Sequence, residues 1–73
     1  MTESIRVGDR VKVFLDSNFW ESEGWFEGTV LSIDPYSEHR SFYWVELDEV
    51  VAANLGTVTK LISVLNPKNI QKT

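Results

Sequence analysis

Ser41-Phe42-Tyr43-Trp44-Val45-Glu46-Leu47 sets the fold class. In a strand, successive side chains point to opposite faces. Here Tyr43, Val45 and Leu47 share one face, and Phe42, Trp44 and Glu46 share the other. The same period of two appears on either side of this run. Upstream, Trp25 to Ile33 is rich in aromatic and β-branched residues, with Gly28 in its middle. A mid-strand glycine marks a bulge or a close approach of backbone. Asp34-Pro35 is expected to end that strand, and polar residues up to Arg40 to form a loop. Nearer the start, the turn pair Gly8-Asp9 opens a first strand. In it Val7, Val11, Val13 and Leu15 alternate with Arg10, Lys12 and, less cleanly, Phe14.

Downstream, Val50-Val51-Ala52-Ala53 follows Asp48-Glu49 and is apolar for a connection. It either extends the third strand into a long hairpin closed at Asn54-Leu55-Gly56 or simply closes the sheet. As a projecting hairpin, residues 48–57 offer a route to a homo-oligomer. Thr57 to Leu65 supplies a fourth strand, and Asn66-Pro67-Lys68-Asn69 one short helical turn before a last strand at Ile70. A helix over Asp48 to Leu55 is too short to stand alone in water. Five short strands in a chain of 73 residues predict an all-β domain. Closing or nearly closing it into a small barrel hides edges that a flat sheet would expose. Residues 1–5 and 71–73 read as loose ends around a single domain, 1–73, with an ordered core of about 6–70.

The charge is unevenly spread. From Asp16 to Glu49 stand nine acids (Asp16, Glu21, Glu23, Glu27, Asp34, Glu38, Glu46, Asp48, Glu49) against one base, Arg40. The ends are mildly basic, so the whole chain has a net charge of −4. The acidic middle also holds every aromatic residue except Phe14. Net acidity is expected to exclude direct nucleic-acid binding, which normally shows a basic patch. With no cysteine, disulfides, thiolate metal sites and cysteine nucleophiles are excluded. No apolar run approaches the ~20 residues of a membrane helix, and Met1-Thr2-Glu3-Ser4 does not read as a secretory signal. A cytoplasmic location is the expectation.

Three short motifs resemble the SH3-like small barrels of the Tudor and agenet type. They are Val7-Gly8-Asp9-Arg10-Val11-Lys12-Val13, Gly24-Trp25-Phe26-Glu27-Gly28-Thr29-Val30 with Ile33-Asp34, and Tyr43-Trp44-Val45-Glu46-Leu47-Asp48. The resemblance covers roughly Val7 to Ile70. It implies a five-stranded SH3-like barrel with a short helical turn before the last strand. Pro67-Lys68-Asn69-Ile70 is similar to the Pro-x-Asn-Tyr ending of true SH3 domains, but Ile70 replaces the tyrosine and their acidic tyrosine motif is absent. Asn18-Phe19-Trp20, Gly28 to Asp34 and Val45 to Asp48 also resemble the small barrel subunit of photosystem I, subunit IV. This chain has extra residues near Glu23 and a different ending.

The Tudor likeness implies aromatics gathered at the open end of the barrel to enclose a cationic side chain. Each desolvated cation–ring contact is worth about 0.5–2 kcal/mol. Trp20, Trp25, Phe42 and Trp44, with Glu23, Glu27 and Glu46, are the candidates here. Phe19-Trp20 lies in Asp16 to Gly24, where SH3-like barrels carry a variable binding loop, and is a candidate partner anchor. The competing reading makes these aromatics core and lid. The only histidine, His39, stands near Asp34 and Glu38, but carboxylates with one histidine in a turn read as a solvated loop. The four glycines are scattered, so no phosphate cradle is present, and no catalytic arrangement stands out. The expectation is a non-catalytic adaptor without cofactor or metal, binding a basic or cationic protein partner. Two alternatives are an accessory subunit of a larger complex, possibly photosynthetic, and an acidic inhibitor that mimics nucleic acid.

Overall fold

The computed structural model describes residues 5–73. Five antiparallel strands form one sheet: β1 (Arg10–Leu15), β2 (Gly24–Ser37), β3 (Arg40–Ala52), β4 (Val58–Val64) and β5 (Ile70–Lys72). Their spatial order is β4-β3-β2-β1-β5, compatible with an SH3-like barrel. A 3-10 turn, Pro67–Asn69, precedes the last strand. It is capped by the Asn66 side chain, which accepts a hydrogen bond of 2.9 Å from the Lys68 amide, and Pro67 sits where its missing N–H costs nothing. Among the described residues no helix is long and apolar enough to cross a membrane.

The inward residues of the alternating pattern meet in one cluster: Val11, Val13 and Leu15 of β1, Val30 of β2, Val45, Leu47 and Val51 of β3, Ile62 and Val64 of β4, and Ile70 of β5. This core is wholly aliphatic. None of the nine aromatics is buried, although Trp20, Phe26, Ile33 and Tyr43 pack against its margin. The interior is tight where β2 pairs with β3. Gly28 is buried there, and a β-carbon on it would stand 2.5 Å from the Glu46 carbonyl oxygen. The glycine marks a close backbone approach, and a register shift lies two residues further on, between Val30 and Ser32.

Several boundaries differ from expectation. Asp34-Pro35 does not end β2, which runs on to Ser37 and turns through Glu38 and His39 alone. The proline is tolerated because β1 pairs with β2 only as far as Thr29, leaving the later part of β2 an edge strand with a second register shift at Pro35/Ser37. The end of the chain is not loose. Gln71 and Lys72 pair with β1, and the Thr73 amide donates to the Arg10 carbonyl at 3.1 Å. Ile5 packs on the core, whereas residues 1–4 of the expected loose start lie outside the described residues. The apolar run after Asp48 does extend β3, and the hairpin turns through Ala53 to Gly56, where Gly56 has φ +95°.

Candidate functional site

Sheet register distributes the eight candidate residues over three places. On the outer face of β1, β2 and β3, Phe14 pairs with Trp25, and Lys12 pairs with Glu27. The rings of Phe14 and Trp25 meet edge-on with centroids 5.5 Å apart, and Trp25 is 44% exposed. The Lys12 ammonium stands 5.5 Å from the Trp25 ring centroid, so the protein's own cation already occupies a face of this ring. Glu27 of β2 and Asp48 of β3 are treated the same way. The Arg10 guanidinium makes a two-pronged contact with the Asp48 carboxylate, with Nη1 to Oδ1 at 2.8 Å and Nη2 on Oδ2, and lies 3.7 Å from Glu27. This hydrogen bonding holds the Asp48 carboxyl below the usual aspartate range and raises Arg10. Glu46 lies on this same outer face, opposite Thr29 of β2 and Leu61 of β4.

Phe42 and Trp44 lie on that face too, but toward the far hairpin. Trp44 pairs with Ser32, seven positions along β2 from Trp25, which is roughly 20 Å of strand. No shared cage forms. Trp44 donates its indole N–H to Asp34 Oδ2 at 3.0 Å, and Phe42 meets Tyr36 edge-on at 5.3 Å. His39 is exposed in the two-residue turn, with Glu38 4.0 Å away. Asp34 is turned instead to Trp44. Among the described residues no three His, Asp or Glu side chains come close enough to share a metal ion.

The third place is the opposite end of the barrel, where the loop after β1 meets the β3–β4 hairpin. Asp16 starts the loop as a turn: its carboxylate accepts from the Asn18 amide at 2.8 Å, and its carbonyl accepts from Phe19 and Trp20. The loop backbone then runs beside the hairpin. Trp20 forms a bridge with Ala53, the Glu21 amide donates to the Ala52 carbonyl at 2.9 Å, and the Asn54 amide donates to the Phe19 carbonyl at 2.8 Å. The Asn54 side chain adds a bond to the Ser17 carbonyl at 2.9 Å. This clamp leaves Phe19 69% exposed and Leu55 96% exposed while Trp20 is half-buried against the core. Between them lies an open notch of about 420 Å³, lined by Asn18, Phe19, Trp20, Ala53, Asn54 and Leu55. Glu23 is exposed at the end of the same loop.

Sequence reading singled out Phe19 and Trp20 but missed Leu55 and Asn54. The sequence marks Asn54-Leu55-Gly56 as a turn, but residue type does not say whether Leu55 folds inward. No protein-family model matches the chain, and neither a curated protein nor a solved structure matches it significantly.

Proposed function

We propose that the protein is a non-catalytic interaction module that docks a basic partner protein, with the contact centred on Phe19, Trp20 and Leu55. The observation that carries this reading is the clamp itself. Three hydrogen bonds, two of which make up the Trp20–Ala53 bridge, order a loop and a turn whose outcome is to hold two large apolar side chains in water. Ordered, exposed aromatic and aliphatic groups at the centre of a patch are what binding hot spots are made of. The likeness to SH3-like barrels, which carry a variable binding loop at the position of Asp16 to Gly24, favours the same loop.

Accessory membership of a larger assembly is supported by a further feature of the same hairpin. Val50 and Val58 are also exposed there, extending the apolar area that a permanent subunit interface would cover. The acidic-mimic reading is less well supported, because Arg10 and Lys12 interleave with the acids on the outer face.

Placing a photo-crosslinking amino acid at position 19 and irradiating in extract of the native cells tests the reading. A discrete basic protein captured there, lost when Leu55→Asp is added and kept with His39→Ala, is the expected result. A stoichiometric multi-subunit product points to the assembly form. No capture at position 19 overturns the proposal, with thermal unfolding showing that each variant is folded.

A further inference from the structure

We infer that the notch recognises an apolar side chain carried on a basic segment, and not a cationic side chain enclosed by rings. The inference rests on the interaction reading above and deepens it. The lining decides between the two ligands. Phe19, Trp20, Ala53 and Leu55 supply apolar walls, and the only polar side chains, Asn18 and Asn54, are uncharged amides, that of Asn54 being already bonded to Ser17. A cation seated here would lose water and gain no counter-charge. The cleft that does combine a tryptophan with carboxylates, formed by Trp25, Glu27, Asp48 and Glu49, is served by Lys12 and Arg10 of the same chain.

Charge acts in the loop that builds the notch. The segment 16–24, which supplies Asn18, Phe19 and Trp20 to it, contains Asp16, Glu21 and Glu23 and no base. Asp16 bonds the Asn18 amide, whereas no ion pair or side-chain hydrogen bond forms to Glu21 or Glu23 among the described residues. Lysines or arginines flanking an apolar anchor would meet these carboxylates as the anchor enters. A second copy of the chain would bring the same acids against each other, so self-association is disfavoured. The loop and hairpin backbones are bonded to one another here, so recognition falls to side chains and not to an added strand.

The test uses three hexapeptides against the full chain, followed by amide chemical-shift mapping and titration calorimetry at low and high salt. The first has a leucine–phenylalanine centre between paired lysines, the second the same centre between paired glutamates, and the third a trimethyl-lysine centre between serines. The expected result is that the first peptide shifts the amides of residues 18–21 and 53–55. Its affinity should fall about tenfold or more with Phe19→Ser or Leu55→Ser, and its salt dependence should weaken in the Glu21→Gln/Glu23→Gln variant. Equal binding of the trimethyl-lysine peptide at these amides overturns the apolar-anchor assignment. Equal binding of the glutamate-flanked peptide overturns the basic partner. Concentration-dependent shifts of the same amides without peptide would make a second copy the occupant and also overturn it. If no peptide shifts them while cross-linking at position 19 succeeds, this inference fails and the interaction reading stands. If both fail, the reading itself is wrong.

Discussion

A methyl group on Gly28 would meet the Glu46 carbonyl oxygen at 2.5 Å and Val45 Cγ1 at 2.8 Å. The first neighbour is backbone of β3 and cannot rotate away. Gly28→Ala therefore forces β2 and β3 apart where Gly28 pairs with Leu47. A loss of about 1–3 kcal/mol is expected, the range for overpacking a close-packed interior. Chemical denaturation measures it, and an unchanged midpoint would show that the strands can separate at no cost. Glycine in a strand of β-branched residues made this contact legible in the sequence. Leu55 was not legible in the same way, because composition does not say whether an aliphatic residue in a turn folds inward. What keeps it outside is local: Gly56, with φ +95°, reverses the chain, and the Gly56 amide donates to the Ala53 carbonyl at 2.9 Å.

At the level of elements, the loop of residues 16–23 and the β3–β4 hairpin were each recognised in sequence, but as separate candidates. Their union depends on main-chain bonds, which leave no trace in residue type. Among the described residues only Asn54 adds a side-chain hydrogen bond between them, to Ser17. Asn54→Ala should cost about 0.5–1.5 kcal/mol of global stability, the worth of one ordinary hydrogen bond. Amide exchange at Phe19, Trp20 and Glu21 should accelerate much more than exchange in β1 to β3. Uniform acceleration across the sheet would instead make Asn54 part of the global fold. Asp34-Pro35 illustrates the opposite failure of sequence reading. Turn chemistry argued for a break there, but an edge position with an adjoining register shift absorbs a proline without ending the strand.

For the molecule as a whole, charge segregated along the chain becomes mixed on the surface. The basic residues of β1 lie beside the acidic strands because β1 pairs with β2, so Arg10 reaches Asp48 across 38 residues of sequence. The sequence could place the acids in the middle of the chain but not the bases opposite them, since strand pairing decides that. Asp9 follows the same pattern. Its carboxyl lies below the ordinary range, first because it accepts a hydrogen bond from the Arg6 amide and then through Lys72, 3.5 Å away. A carboxyl whose folded value is lowered adds stability above the ordinary aspartate range and loses it as pH falls through the lowered value. Stability should thus decline on acidification from that range downward. Asp48→Asn should flatten this decline, by an amount that shrinks in high salt because the pair is exposed. Thermal unfolding across acidic pH checks both statements, and an identical acid slope in Asp48→Asn would remove Asp48 from the account.

The pairing of β1 with β5 also imposes an order in time. Val13 of β1 lies opposite Ile70, so the first of the five strands to be made receives its second neighbour from the last of the five. The 55 positions separating Leu15 from Ile70 take roughly 3–11 s to synthesise at ordinary rates of translation. During that interval one edge of β1 has no partner from its own chain and is open to strands of neighbouring nascent chains. Arg10 and Lys12, the two charged residues within β1, are placed where like-charge repulsion between such chains would discourage that encounter.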